Sequence, residues 1–402
     1  MIGIDPHKGS HTASAIDQAE TALGELRVRS GAGQLSRLLD WAARWPERVW
    51  AVEGAAGLGY LLAQQLVAAG EQVCDVQPKL AARVRLLATG ATNKNDPNDA
   101  RSVAVAALRS PAVSRVRAEN HAAVMKVWAK RHRDLGSART QVACRLHAVL
   151  CALVPGGFAG EISAARAARL LDELQPDGAV AAARYDLARQ FTADLRRIDE
   201  QMRDTRSRLA AAVAASQTTT TQIFGVGPVV AAIVIGEAGH ITRFASRDHF
   251  AAYNGTAPVE VSSGPRKIYR LSRRGNRRIN HAIHMAAVTQ IRHRHTDGRA
   301  YFERKLAEGK TRKEALRSLK RRISDALFTR LQADARQAAG TVSAGPGGQP
   351  GNDSVASAAG SHPERRLFGQ ATPGPDSTLR PPPDPQIGKT RSRATRETDR
   401  TS

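Results

Sequence analysis

The chain is poor in cysteine and in long apolar stretches. Only three of its 402 residues are cysteines, an odd number with no metal-ligand spacing, so we expect a reduced, cytoplasmic protein. Cys144 and Cys151 lie seven residues apart in a helical pattern and are expected to be small core residues. No apolar run approaches the ~20 residues of a membrane span, and no signal-peptide pattern opens the chain. We therefore expect no membrane partner.

Acidic residues are also scarce relative to basic ones. The sequence has 60 Lys and Arg against 37 Asp and Glu, which gives a formal net charge of +23. Such an excess is typical of proteins that bind phosphate backbones and, less often, of proteins that bind anionic membrane surfaces. The implied partner is a nucleic acid, and the implied location is the nucleoid. The length is enough for two or three domains.

The last part of the chain lacks apolar residues. After about Ala335 the composition shifts to Gly, Pro, Ser, Thr and Arg. Such a segment cannot bury enough surface to offset the entropy of ordering it. The sequence therefore predicts a disordered tail over residues 333–402.

The first hundred residues have the pattern of a strand-rich α/β unit. The predicted strands cover residues 1–5, 11–17, 24–29, 49–53 and 71–76, and the predicted helices cover 33–44 and 58–69. Three strands, a helix, a strand, a helix and a strand, followed by helices, is the order of the RNase H-like fold. An RNase H-like α/β domain is therefore predicted for residues 1–110, with an antiparallel meander that continues into parallel strands.

The middle of the chain has helical periodicity. Residues 119–153 and 179–214 are predicted to form two long amphipathic helices, which suits a linker or an oligomerisation region over residues 111–215. A polar run, Ser216 to Gln222, is expected to link this region to a mostly α-helical C-terminal domain over residues 216–332.

Four acidic residues are placed as a metal-dependent nuclease would place them. Asp5 and Glu53 each end an apolar strand, and Asp96 and Asp99 lie three residues apart at the start of a helix. Carboxylates at the C-terminal ends of neighbouring parallel strands, faced by two more on a helix, form an oxygen cage that suits Mg²⁺. Helix capping is the alternative, with Asp96 as the N-cap, Pro97 at the first helical position and Asp99 in the first turn. The two interpretations are compatible.

A glycine-containing turn precedes a helical run in the C-terminal region. Gly225-Val-Gly227-Pro228 is similar to the turn of a helix-hairpin-helix DNA-binding element, whose backbone N–H groups can hold a phosphate. A tight turn between helices, without a ligand, explains the same residues equally well.

A basic segment follows. Seven of the 13 residues from 266 to 278 are basic and none is acidic, which favours phosphate contact over a solvated face. They are Arg266, Lys267, Arg270, Arg273, Arg274, Arg277 and Arg278. Ser263, beside Gly264, is expected in a flexible electropositive loop. A serine there could attack a phosphodiester because guanidinium groups would stabilise the developing charge, although a turn serine is the commoner explanation.

Taken together, these motifs resemble those of the DEDD transposases of the insertion-sequence one-ten type, relatives of site-specific DNA invertases. The resemblance spans residues 1 to about 330. The matching residues are Gly3-Ile-Asp5-Pro-His-Lys8, Glu53-Gly54, Gly57, Gly59-Tyr60, Lys94-Asn-Asp96-Pro-Asn-Asp99-Ala100, Gly225-Val-Gly227, Phe244, Ala252-Tyr-Asn-Gly255, Pro258, Ser263-Gly264 and Arg274-Gly-Asn276.

The resemblance implies a RuvC-like domain that binds Mg²⁺ through Asp5, Glu53, Asp96 and Asp99, with Ser263 as a nucleophile that forms a phosphoserine link to DNA. Ser262 is the second choice for the nucleophile. It further implies a homo-oligomer (dimer or tetramer), in which the serine of one subunit completes the acidic site of another, and a structured noncoding RNA that bridges DNA partners. Two alternatives stay open from the residues: a structure-specific endonuclease of the Holliday-junction type, and a non-enzymatic basic nucleic-acid-binding protein.

Overall fold

The computed structural model describes residues 1–87, 95–110, 113–263, 266–271 and 275–343. Most of the predicted tail lies outside these residues. One part of that prediction is wrong, because residues 333–343 belong to a helix, described below, that ends at Ser343. In the described part of the chain, no helix has the length and apolar character needed to cross a membrane.

A six-stranded mixed sheet forms the N-terminal part of the protein. Its strands are β1 (Ile2–Pro6), β2 (Ser10–Ile16), β3 (Ala22–Arg29), β4 (Trp50–Glu53), β5 (Val73–Val76) and β6 (Ser114–Arg115). They lie in the order β3-β2-β1-β4-β5-β6. The pairs β1–β2 and β2–β3 are antiparallel, and β1–β4 and β4–β5 are parallel. The predicted meander continuing into parallel strands is confirmed and fits an RNase H-like domain. The short β6, antiparallel to β5, is an addition to the predicted strands.

Helices cover both faces of this sheet, and for this reason all five residues of β1 are buried. The helices are α1 (Gln34–Ala42), α2 (Tyr60–Ala68), α3 (Pro78–Leu87) and α4 (Asp96–Arg109). On one face, Leu38 of α1 and Leu62 of α2 share a core with Ile4 of β1. On the other face, Val103 of α4 packs with Ala51 of β4. Burial on both faces explains why these strands are nearly continuous apolar runs.

Two long helices follow the sheet, as predicted. They are α5 (His121–Cys151) and α7 (Gly178–Ala215), with the shorter α6 (Ala164–Asp172) between them. Leu146 and Leu150 of α5 share a core with Leu195 of α7. The expectation that Cys144 and Cys151 are core residues is wrong, because the buried stripe of α5 runs through Leu146 and Leu150 and leaves both cysteines exposed.

The C-terminal region is mostly helical and shares its core with α5 and α7. Its helices are α8 (Pro228–Ala238), α9 (Arg247–Asn254), α10 (Arg277–Arg292), α11 (Asp297–Ala307) and α12 (Arg312–Ser343). A two-stranded hairpin, β7 (Pro258–Ser263) and β8 (Arg266–Leu271), separates α9 from α10.

The polar run before α8 is not the loose linker that its composition predicts. Residues Thr219–Gln222 form a 3-10 turn. The carboxylate of Asp334 on α12 accepts hydrogen bonds from the Thr218 hydroxyl at 2.7 Å and from the hydroxyl of Thr219 at 2.7 Å. Thr220 is fully buried. These hydrogen bonds satisfy polar groups that a linker would leave to water.

Candidate active site

Close packing of α4 on β1 places the acidic residues of the helix beside the end of the strand. A Cβ atom added at Gly3 of β1 would lie 2.1 Å from the carbonyl oxygen of Ala100 on α4. Only glycine permits this approach. Asp5 lies two residues further along β1, and Asp96 and Asp99 lie in the helical turn that precedes Ala100 on α4. The three residues are therefore held together by the fold.

The start of α4 decides between the two interpretations of Asp96. Asn95, not Asp96, is the N-cap, since its side chain accepts a hydrogen bond from the backbone N–H of Asn98 at 2.9 Å. The expectation that Asp96 caps the helix is wrong. Its carboxylate instead faces Arg27, at 3.6 Å, and His7, at 3.7 Å. The Asp96 carboxylate is therefore directed toward the cluster of charged side chains and does not serve as the helix cap.

Asp5, His7 and Asp96 form the group of potential metal ligands that the described residues contain. Asp5 is 5% exposed, and its Oδ2 atom accepts no hydrogen bond although it lies 3.0 Å from Nε2 of His7. One ligand atom from each residue lies within 4.8 Å of the others. His7 is not among the site residues predicted from the sequence. Its position two residues after a strand-ending aspartate is the signal that could have found it.

Glu53 and Asp99 complete the acidic cluster from the other side. Glu53 ends β4, which runs parallel to β1, so its carboxyl group lies close to that of Asp5. Asp99, which is 8% exposed, forms an ion pair with Arg85 of α3. The structure thus brings all four predicted carboxylates to one end of the sheet. Two arginines, Arg27 and Arg85, partly neutralise them.

Burial raises the pKa of both Asp5 and Glu53 above the usual carboxyl range. Repulsion adds to this, since Asp99 raises the pKa of Asp5 and Asp5 raises that of Glu53. His7 opposes the increase at Asp5, and Arg85 opposes it at Glu53. Such crowding of negative charge is relieved when a cation binds between the groups.

The donor set fits a divalent metal ion. Carboxylate oxygens are the ligands that hard cations prefer, and a buried carboxylate oxygen without a hydrogen bond is costly unless something occupies its lone pairs. The cluster is therefore consistent with a divalent metal.

The serine segment is a β-hairpin, so the expectation of a flexible loop is wrong for its described residues. Ser263 is the last residue of β7 and pairs with Arg266, and Ser262 pairs with Lys267. The backbone of both serines is described, but their side chains are not. Arg270 lies opposite Val259 on the paired strand.

Two predicted DNA-contacting residues of the basic segment, Arg273 and Arg274, and the predicted Gly264 lie outside the described residues. Arg277 and Arg278 open α10. Arg278 forms an ion pair with Glu237 of α8 at 2.6 Å. In this structure it therefore connects two helices of the protein.

Asn276 holds the base of the hairpin. Its side chain caps α10 by accepting hydrogen bonds from the backbone N–H groups of Arg278 and Ile279, at 3.0 and 3.1 Å. Its amide also donates to Glu237 of α8 at 2.8 Å and to the Tyr253 hydroxyl of α9 at 3.2 Å. Asn276, the last residue of the motif Arg274-Gly-Asn276, thus joins three helices shortly after β8 ends.

The glycine turn before α8 has a structural explanation at its first position. Gly225 has a φ of +80°, and a Cβ there would lie 2.8 Å from the carbonyl oxygen of Ala286 on α10. Close contact between chain segments therefore requires Gly225. Gly227 is exposed and is the N-cap of α8. Phosphate binding by this turn stays a prediction.

The hairpin and the acidic cluster occupy separate parts of the described chain. Strands β7 and β8 pair with each other and make no extended contact with β1, β4 or α4. Within its described residues, the fold of one chain therefore does not assemble the serine strand and the four carboxylates into one pocket.

Two family models match the chain in order. A DEDD transposase model of the IS110 type matches residues 2–155, and a model of the "Transposase IS116/IS110/IS902 family" matches residues 218–303. The chain is similar to an uncharacterized 44.8 kDa protein of insertion element IS116 from Streptomyces clavuligerus, at 27% identity over 82% of this chain and 94% of the relative. It is also similar to a 43.6 kDa protein of insertion element IS110 from Streptomyces coelicolor, at 34% identity over 28% of each chain.

Solved structures of Thermus thermophilus RuvC are also similar. One of them, in complex with a Holliday junction substrate, has 16% sequence identity and a TM-score of 0.24, and the match covers 29% of this chain and 98% of that chain. The assignment to a family rests on the two family models. The first matched range contains the four acidic residues and the second contains Ser263, in the order that the motifs predict. The chain belongs to the IS110 family of transposases, a class of DNA-binding and DNA-cleaving enzymes.

Proposed function

We propose that the protein catalyses Mg²⁺-dependent DNA strand cleavage and rejoining during transposition of an insertion sequence. Asp5, Glu53, Asp96 and Asp99 would be the metal ligands, and Ser263 the nucleophile. The observation that carries the proposal is the convergence of the four carboxylates at the ends of β1, β4 and α4, around a buried Asp5 oxygen without a hydrogen bond. A helix cap or a surface cluster does not require such an arrangement.

The chain's own residues have distinct parts in this scheme. A divalent cation at the cluster would act as a Lewis acid toward the oxygens of the scissile phosphate. Asp5, held by a strand that is buried on both faces, fixes the position of the site. Arg85, which pairs with Asp99, balances charge at the cluster and lies on α3 next to the acidic residues.

The serine step is a transesterification. The Ser263 oxygen forms a bond to phosphorus, the bond from phosphorus to a deoxyribose oxygen breaks, and the serine proton passes to that leaving oxygen. Rejoining is the reverse reaction with the hydroxyl of another strand. Because the phosphodiester energy is kept in the phosphoserine link, no external energy source is needed. In the register of β7 and β8, Arg266 and Lys267 pair with the two serines, and their positive charge would stabilise the phosphate.

The separation of hairpin and cluster within one chain supports a composite site made by a dimer or tetramer. Residues 1–110 would act as the metal-binding domain, 111–215 as the linker or oligomerisation region, and 216–332 as the serine domain. The basic residues of the last region would bind DNA and a structured noncoding RNA. A protein with these partners would work in the cytoplasm at the nucleoid.

The hairpin provides a matched pair of variants for the test. Ser263→Ala should abolish both cleavage of labelled element-end DNA and the covalent protein–DNA adduct seen on denaturing gels, whereas Ser262→Ala should retain both. Undiminished cleavage by Ser263→Ala would show instead that water is the nucleophile, as in a structure-specific endonuclease. If Asp5→Asn and Asp99→Asn retain full cleavage, the acidic cluster has no part in the reaction.

A further inference from the structure

Three aromatic rings lie together on the surface of the C-terminal region. Phe224, just before the glycine turn, is 43% exposed, and His293 and His295 are exposed after α10. The Phe224 ring centroid lies 5.3 Å from that of His293 and 5.5 Å from that of His295, and the two histidine rings are 5.8 Å apart. The interplanar angles are 69°, 89° and 64°, so the rings meet edge to face and do not cover one another.

Hydrogen bonds of buried polar side chains hold the segments that carry the three rings. The backbone carbonyl of Phe224 accepts a hydrogen bond from the side chain of Gln290, which is 6% exposed, at 2.8 Å. The hydroxyl of Thr296 donates to the carbonyl of Gln290 at 2.8 Å and lies 3.0 Å from the carbonyl of His293. The backbone of Gly225, next to Phe224, also packs closely against Ala286. The exposed rings are therefore held in place before any ligand arrives, which lowers the entropy that binding must overcome.

Two arginines lie beside the histidine rings along the chain. Arg292 and Arg294 flank His293 and are exposed. No charged residue occurs from 216 to 236, and the first acidic residue after the histidines is Asp297, two positions beyond His295. An exposed Phe224 ring, in contact with two histidine rings that exposed arginines flank along the chain, suits a ligand that offers both a flat π face and negative charge. Unpaired nucleotides have this combination, since every base can stack and every linkage carries a phosphate.

We propose that Phe224, His293 and His295, the stacking surface, bind an unpaired base of single-stranded nucleic acid, while Arg292 and Arg294 contact the neighbouring phosphates. The proposal rests on the proposed function in one respect, because it assumes that the protein handles nucleic acid with unpaired segments. DNA opened during strand exchange and the loops of an RNA both supply such segments.

The test measures binding of the full-length protein to labelled oligonucleotides of about 12 residues, a length within the range that single-strand-binding modules cover, over a range of salt concentrations. Oligodeoxythymidine, oligouridine and an abasic deoxyribose-phosphate strand of equal length are compared. Phe224→Ala should weaken binding of the base-bearing strands about fivefold or more, as expected when one base can no longer stack, and leave the abasic strand unaffected. The salt dependence should not change, because every phosphate keeps its arginine partner. Phe224→Trp, which keeps a ring, should bind at least as tightly as the wild type.

The double variant Arg292→Gln, Arg294→Gln should behave differently. It should weaken binding to all three strands and make the salt dependence shallower, by about one in slope for each phosphate that no longer meets an arginine. Leu61→Ala, which removes an exposed apolar side chain from α2, is the matched control and should change nothing. The melting temperature of each variant shows whether it is folded.

The results for Phe224→Ala on the three strands decide the question. The proposal is overturned if Phe224→Ala binds every strand as tightly as the wild type, or if its affinity for the abasic strand falls as much as its affinity for the base-bearing strands. The exposed rings would then be explained by contact with a protein partner. Weaker binding of oligodeoxythymidine alone identifies DNA as the ligand, and weaker binding of oligouridine alone identifies RNA. If Phe224→Ala binds the oligonucleotides normally and the wild-type protein cleaves element-end DNA, the proposal for the stacking surface is wrong while the proposed function stands. If no nucleic acid binds to the wild type, both fail.

Discussion

Asp5 lies on a strand whose neighbours, β2 and β4, pair with it on both sides, whereas Ser263 ends a strand that pairs with β8 alone. The carboxylates are fixed by packing from two faces of a sheet. Among the described residues, Asn276 and its partners anchor the base of the hairpin that carries the serine. Under the proposed function, metal ligands would need closely defined positions, and a nucleophile that reaches another subunit would need freedom to move. The difference between the two regions fits that proposal.

Disrupting the close packing between β1 and α4 should have the largest effect. Gly3→Ala places a Cβ 2.1 Å from the carbonyl oxygen of Ala100 and 2.5 Å from the backbone nitrogen of Ala104, neither of which can move without the whole helix. We expect the free energy of unfolding, measured by urea denaturation, to fall by roughly 3 kcal/mol. Gly9→Ala, where a Cβ meets nothing within 4 Å, should stay within about 0.5 kcal/mol of the wild type. Equal stability of the two variants would contradict the packing argument.

An asparagine N-cap from each region allows the two regions to be compared directly. Asn276 bonds two backbone N–H groups, Glu237 and Tyr253, while the described contact of the Asn95 side chain is with the backbone N–H of Asn98. We expect Asn276→Ala to cost about 2 kcal/mol of unfolding free energy and Asn95→Ala about 1 kcal/mol, measured under the same conditions. If Asn95→Ala lowers the unfolding free energy more than Asn276→Ala does, the additional hydrogen bonds of Asn276 do not stabilise the base of the hairpin.

The net charge of the acidic cluster can be changed without removing any of its four carboxylates. Arg85→Gln takes away the cation that pairs with Asp99, so the cluster becomes more negative and should bind a divalent ion more tightly. We expect the Kd for Mn²⁺, measured by titration calorimetry, to fall about fivefold, which corresponds to ~1 kcal/mol. Arg83→Gln, an exposed change of the same type on α3, should leave it unaffected. Weaker binding by Arg85→Gln would instead show that Arg85 orders the ligands.

The smallest effect concerns pH and the base of the hairpin. Burial raises the pKa of Glu237, but the hydrogen bonds from Arg278 and Asn276 outweigh it and lower the pKa below the ordinary value of 4.5. A carboxyl whose pKa is depressed by folding stabilises the protein above its unfolded pKa, and this stabilisation is lost as the pH falls through the folded value. Glu237→Gln should therefore make the unfolding free energy less dependent on pH below 4.5.

Chemical denaturation at several pH values measures this, with the exposed Glu47→Gln as control. If Glu237→Gln and the wild type lose stability in parallel on acidification, the ion pair with Arg278 does not contribute to the stability of the folded state.

The sheet can be predicted from the sequence because its signals are local. Alternating and apolar runs mark each strand, and the strand order then places Asp5 and Glu53 at one edge. His7 is harder to predict, because its position two residues after Asp5 places it near the site without showing where its ring points. The two-residue strand β6 is too short for any periodicity.

In β7, Val259 and Val261 alternate with polar residues as a strand requires, but the density of Arg and Lys in the basic segment that follows favours a loop. The prediction for the cysteines of α5 is wrong for a related reason. A spacing of seven identifies residues on one face of a helix without telling which face is buried, and here Leu146 and Leu150 occupy the buried one.

The bonds from Asp334 to Thr218 and Thr219 set a limit on where the protein can be shortened. A chain ending at residue 332, where composition alone would place the domain boundary, loses the carboxylate that holds the turn before α8. A chain ending at Ser343 keeps it. Anyone preparing the protein for crystals or for binding studies should therefore cut beyond α12, even though the last turns of that helix resemble the tail in composition.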